Sequence, residues 1–313
     1  MNRLAFAILG MWLSASGPLW AACAPAPGDI ARVQTLGDGG LVRLADGREV
    51  KLAGLLLPGT DGSRGADALA LTEQASAALA ARVSGRRVQL FYGATREDRY
   101  GRVLAHLVVL PMLVPGAGNA AAEIFTATQS AGLPGEPEAE AFWLQGALLR
   151  EGWARAYSLA DDPLCAGTMR ALEKQARDVA RGLWAVAAYR IRDASDLEAL
   201  RALKGSFQIV EGRLLEVTEK RGTVFFNFGP DWRHDFTVTA KKATVRRLVR
   251  AFSDKAGISL DGVAWPAQLN VVKGQRVRVR GWIGDYHGPE IILTHSEQIE
   301  FFDVAKNETE RDG

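Results

Sequence analysis

The sequence has little cysteine, Cys23 and Cys165 alone in 313 residues. Two thiols cannot make a disulfide scaffold, nor a four-ligand zinc site by themselves. Histidine is also scarce. His106, His234, His287 and His295 are scattered; Asp235 and Asp285 near His234 and His287 point only weakly to a metal or acid–base site, and exposed or edge-strand positions are the favoured reading. There is no excess charge of either sign: Lys+Arg 38 against Asp+Glu 36 leaves a formal net charge of +2. That balance argues against a basic coat for nucleic acid. Beyond the first segment no apolar stretch approaches the roughly 18 residues that a membrane-spanning helix needs. No P-loop, Gly-x-Ser-x-Gly elbow or His-Glu-x-x-His is present, so the chemistries those motifs carry are not suggested. Hydrophobic residues at 48% and charged residues at 24% suit a chain that buries a core rather than a disordered one. Its length suggests about two domains.

The start of the chain reads as an address. Arg3 is followed by an apolar run from Leu4 to Leu13, and Ala21-Ala22-Cys23-Ala24 supplies small residues for cleavage. This is the pattern of a secretory signal peptide over residues 1–22. It predicts an exported protein, periplasmic or secreted. A lipoprotein signal would want Leu three residues before Cys23, where Trp20 stands, so lipid anchoring is the less favoured reading. Cleavage after Ala22 or after Ala24 both fit. If Cys23 is retained, an oxidising compartment favours a Cys23–Cys165 disulfide. The alternative is one cysteine lost with the signal and one buried thiol.

Along the remaining chain, Ile30 to Leu57 alternates as strand, turn, strand, turn, strand, with Asp38-Gly39-Gly40 and Asp46-Gly47 as turns. The Ala- and Leu-rich stretch 66–83 predicts a helix. Residues 87–92 and 103–110 predict strands, and 111–141, rich in Gly, Pro and Ala, predicts an inserted loop. Helices are expected over 142–151 and 163–181. A charged helical linker covers 191–204. From Phe207 the composition turns to β, with one helix over about 240–254. Several strands around one helix are the recipe of an oligonucleotide/oligosaccharide-binding (OB) barrel over 205–302. Residues 303–313 form a polar tail. The expected class is therefore mainly β with packed helices (α+β), as two OB barrels.

Five motifs in order give the first domain, 28–190, its likeness. They are Asp38-Gly39, then 48–54 with Pro58, then Asp98-Arg99-Tyr100-Gly101-Arg102. Leu149 to Arg155 follows, and last Glu173 to Arg177 with Gly182-Leu183-Trp184. On these the domain resembles the staphylococcal-nuclease-like (thermonuclease) family. The resemblance implies a five-stranded OB barrel with packed helices, and a nucleic acid or nucleotide ligand. It also implies calcium-assisted phosphodiester hydrolysis, which needs carboxylates for the metal, a general base and two arginines for the phosphate.

Set on this chain, the family pattern is incomplete. Gly40 and Leu56 stand where metal-binding Asp residues are expected, and Gly59 stands where the base is expected. Lys51 replaces one phosphate Arg, keeping charge without the bidentate fork, and Arg102 keeps the other. Arg99 and Tyr100 match nucleotide-contacting positions. Asp38 and Asp61 are the remaining candidates for a displaced metal site. The 98–102 motif equally reads as a tight turn held by Asp98.

The second domain is similar to a C-terminal extension of some bacterial exported nuclease-like proteins. It offers two basic rows, Lys242/Arg246/Arg250 on a helix face and Arg276/Arg278/Arg280 on a strand face. With Phe226, Phe228, Trp232 and Trp282 they suit a phosphate backbone with stacked bases, or equally a solvated face over a packed core. Three functions follow as expectations. The first is a catalytically degenerate module, without cofactor, that binds single-stranded nucleic acid, nucleotide or an envelope protein. The second is an active phosphodiesterase using Ca²⁺ in a non-standard site. The third is a protein- or glycan-binding OB module.

Overall fold

The computed structural model describes residues 23, 25–111, 141–160, 163, 165–231 and 233–302. The expected signal segment, nearly all of the predicted insertion, Trp232 and the expected polar tail lie outside these residues. Among the described residues no helix is long and apolar enough to cross a membrane.

The first unit contains β1 (Ala26–Leu36), β2 (Val42–Leu44), β3 (Glu49–Leu52), β4 (Leu55–Leu56), α1 (Ala66–Val83), β5 (Arg87–Tyr92), β6 (Val103–Val109), β7 (Phe142–Trp143), α2 (Leu144–Arg150), β8 (Arg155–Ala156) and α3 (Ala166–Asp178). β1 pairs antiparallel with both β2 and β5. It can do so because register shifts between Pro27 and Ile30 and between Val33 and Thr35 bend it. β2 pairs with β3, β3 runs parallel to β6, and β6 returns to β5. The circuit β1-β2-β3-β6-β5 closes a five-stranded barrel. α1 presents Ala68, Leu71, Ala75, Leu79 and Val83 as one buried stripe. β6 is buried on both faces because α2 covers its outside. There Gln145 accepts from the Leu107 N–H and donates to the Ala105 carbonyl.

The Cys23–Cys165 disulfide spans 142 residues and lies in the same core. Cys165 is the residue that precedes α3, so the bridge fixes the chain's start to the head of that helix.

The second unit contains β9 (Arg192–Asp193), α4 (Leu197–Ala202), β10 (Phe207–Arg213), β11 (Glu216–Lys220), β12 (Thr223–Asn227), β13 (Thr237–Lys241), α5 (Lys242–Ala256), β14 (Arg276–Trp282), β15 (Gly284–Asp285), β16 (Pro289–Leu293) and β17 (Ile299–Phe301). β10 pairs with β14, and β11 with β12 and β12 with β13, all antiparallel; β13 runs parallel to β16. β16 lies beside β14. The connectivity therefore follows the order of the first barrel, with α5 between its third and fourth strands. The interior holds Phe226, Phe236, Val238, Val249 and Val277, each fully buried.

Several expectations shift by a few residues. Phe142 and Trp143 form a strand against β6 rather than the first turn of a helix. The expected linker contributes β9, which pairs with β10 and so belongs to the second sheet.

Candidate functional site

A cleft of about 260 Å³ opens beside β3, at the position where the resemblance places the catalytic centre. Its floor is apolar, made by Leu52, Leu55, Leu56 and Leu57. Asp38, Lys51 and Arg102 stand on its rim.

The turn at Asp38–Gly40 forms one wall, and Gly40 has φ 78°, a left-handed conformation. A Cβ placed on Gly40 would sit 2.1 Å from Cδ1 of Leu57. Leu57 therefore occupies the space that a side chain at position 40 would need. Gly59 repeats the pattern on a smaller scale: φ is 84° and a Cβ would meet Thr72 Cγ2 at 2.8 Å. Leu56 lies in β4, opposite Arg155, and is buried. The carboxylates are thus absent from the sequence, and at positions 40 and 59 a neighbouring side chain stands where a Cβ would go.

Of the two remaining metal candidates, Asp61 is withdrawn. It is fully buried. Its Oδ2 accepts from Arg155 Nη2 at 2.5 Å and its Oδ1 from the Ser63 N–H at 2.9 Å. Both oxygens are committed inside the protein. Asp38 alone faces the cleft, and one carboxylate over a leucine floor does not fit Ca²⁺, which takes six to eight oxygen ligands. Among the described residues no group of three His, Cys, Asp or Glu side chains is placed to hold a metal.

Arg102 is only partly free. Its Nε and Nη2 donate to Asp98 Oδ2 at 2.8 and 2.5 Å, and its guanidinium carbon lies 5.0 Å from the centroid of Tyr100. Arg99 stacks on the same ring at 4.8 Å. Asp98 also accepts the N–H of Tyr100 and of Arg102, which fixes the turn. Burial alone would raise the Asp98 pKa. The bonds from Arg102 and the two N–H groups outweigh it and hold the carboxyl below its ordinary value. Lys51, on β3, has no carboxylate within ion-pair distance among the described residues, so the rim offers one cation held by Asp98 and one free of such a partner. Asp38 is the one carboxylate among the described residues lining the cleft, beside Lys51 and Arg102, and Asp98 pairs with Arg102.

The second unit supplies the opposite wall. Trp282, the last residue of β14, is 42% exposed and lines the cleft beside Tyr157. Phe207 stands between them, edge-on to Tyr157 at 5.7 Å and to Trp282 at 6.1 Å. Burial raises the Tyr157 pKa, so its hydroxyl stays neutral in the physiological range. Tyr157 carries no motif, and sequence reasoning missed it. Its only local signal was its place two residues after Arg155.

The second unit's basic rows separate. Arg280 is 2% exposed. It donates to Glu173 Oε2, to Glu300 Oε1 and to the Ala156 carbonyl, each at 3.0 Å. Burial alone would lower its pKa, but the two carboxylates push it up. Arg276 and Arg278 both pair with Glu211. This row forms an ion-pair network, because acidic partners far off in sequence meet each member. On α5, Lys242 straddles Glu219 at 3.1 and 3.3 Å, whereas Arg246 and Arg250 are exposed. Of the aromatics expected to stack bases, Phe226 is buried in the core and Phe228 packs on Phe236. Among the described members of that set only Trp282 reaches a cleft.

No curated protein matches the chain. Residues 49–186 match the family model described as Staphylococcal nuclease homologue. With the closed five-stranded barrel around them, these residues make the first unit a staphylococcal-nuclease-like domain.

Proposed function

We propose that this chain is an exported, catalytically silent nuclease-like protein whose cleft binds a small phosphate-bearing ligand of nucleotide size. The observation that carries the reading is the joint replacement at Gly40, Leu56 and Gly59. Loss of one group leaves a weak enzyme, but here both metal positions and the base position are apolar or bare. Fold alone does not restore the chemistry. What remains on the rim is Lys51 and the unbonded edge of Arg102, enough to hold one oxyanion. The leucine floor and the Tyr157–Trp282 wall suit an apolar or planar body. The Cys23–Cys165 disulfide supports an oxidising compartment.

The test is twofold. Protein lacking residues 1–22 is assayed for cleavage of single-stranded DNA and RNA with and without Ca²⁺; no turnover is expected. Tryptophan fluorescence is then titrated with a nucleoside monophosphate, in the parent and in Lys51→Ala. A Kd at least about fivefold weaker in the variant is expected from removal of one charge-assisted hydrogen bond. Calcium-dependent cleavage abolished by Arg102→Ala would overturn the reading in favour of an active phosphodiesterase.

A further inference from the structure

A groove of about 790 Å³ lies away from the cleft, between α5 and residues 258–268. Arg246, Arg247 and Arg250 line it from the helix. All three are exposed, and among the described residues no carboxylate lies within ion-pair distance of any of them. The contrast within the unit is sharp. Arg276, Arg278, Arg280, Lys242, Lys273 and Lys204 all have acidic partners. Three guanidinium groups without a carboxylate within ion-pair distance thus share one face.

That face is also held in shape. Arg246 stacks on Trp265 at 5.3 Å, and Lys242 lies 5.5 Å from the same ring. The Trp265 indole N–H donates to Glu219. Gln268 donates to the Val263 carbonyl at 2.8 Å and braces the facing loop. A stacked guanidinium keeps its in-plane N–H groups free for an oxyanion.

Two further observations select the ligand. Asp254 and Asp261 line the same groove, so an unbroken row of phosphates would meet like charge there, whereas carboxylates spaced by uncharged residues can reach the arginines and pass the two aspartates with an uncharged residue. Ile258, 40% exposed, and Leu260 give it an apolar base. We propose that the α5 groove docks a protein segment in which acidic residues alternate with apolar ones. The carboxylates pair with Arg246, Arg247 and Arg250, and an apolar side chain seats on Ile258 and Leu260. This site is independent of the cleft and does not require the ligand assigned there.

The test uses the full chain without residues 1–22 and a fluorescein-labelled peptide repeating Glu-Glu-Leu-Gly, read by anisotropy. The expected result is saturable binding, weakened at least about tenfold by Arg246→Glu/Arg250→Glu, since each charge-assisted hydrogen bond that is removed weakens binding by roughly that factor. The charge-matched change Arg64→Glu/Lys255→Glu leaves it unaltered. The reversed-charge groove should instead gain binding of a Lys-Lys-Leu-Gly repeat, which a variant that failed to fold would not show. Absence of peptide binding, equal weakening by both double variants, or displacement of the peptide by an oligo-dT strand at lower concentration than by unlabelled peptide would each overturn the proposal.

Discussion

The guanidinium of Arg280, in the second unit, lies 3.0 Å from the carboxylate of Glu173, in the first, and both side chains are withdrawn from water. Glu173 also accepts the Ala156 N–H at 2.9 Å, and Glu300 completes the partners of Arg280. The two units are thus joined through a shared ionic interior rather than a solvated seam.

Breaking that pair leaves an uncompensated buried charge. Arg280→Ala or Glu173→Ala should each cost about 3–5 kcal/mol. Urea unfolding followed by Trp fluorescence checks this, and a double-mutant cycle should show strong coupling. A single cooperative transition in the parent should split into two in the variants.

Rebuilding the absent carboxylates should fail. Gly40→Asp meets Leu57 and requires a left-handed backbone, and Gly59→Glu meets Thr72. Each should destabilise by about 2 kcal/mol from strain and overpacking. The combined Gly40→Asp/Leu56→Asp/Gly59→Glu variant should show a lower Tm and no calcium-dependent cleavage. Full activity with an unchanged melt would contradict this steric account.

Acid should weaken the first barrel through His106. The ring is fully buried beside Trp143, and burial lowers its pKa to about 4. The unfolded chain binds a proton near pH 6.5 that the folded chain refuses until pH falls to about 4. Stability therefore falls as pH drops through that window, by roughly 3 kcal/mol. His106→Gln removes the titration, and its stability should change less between about pH 7 and pH 4.5 than that of the parent, measured by urea denaturation at each pH.

Processing and the disulfide are linked. Cys23 is 3% exposed and bonded to Cys165. Cleavage after Ala24 would discard it, and a thioether lipid would occupy its sulfur. If the first segment is removed as proposed, the mature chain should begin no later than Cys23, carry no lipid, and gain two hydrogens on reduction; intact-mass spectrometry reads all three. Cys23→Ser should cost about 2–5 kcal/mol by freeing a long loop in the unfolded chain.

The barrel order and the lost carboxylates were legible because both are written locally. Gly-rich turns punctuate β1 to β3, and a missing Asp is visible wherever its motif stands. The role of Arg280 was not legible. Alternation along β14 put it in register with Arg276 and Arg278 as one solvent-facing row, and nothing near it names Glu173, which lies on α3 in the other unit. Asp61 misled for the same reason: its partner, Arg155, is distant in sequence and reads as part of a motif. Trp282 was visible as an aromatic, but its placement over the first barrel's cleft depends on how the units dock. Long-range ionic pairing carries no periodic signal in the chain.

The bridge between Cys23 and Cys165 encloses the whole of the first barrel's strand circuit and the stretch 112–140 in one covalent ring. A single proteolytic nick anywhere inside that ring opens the peptide without releasing a fragment. Nicked protein should migrate as one species until reductant is added, and the cut site alone would then set the two sizes that appear.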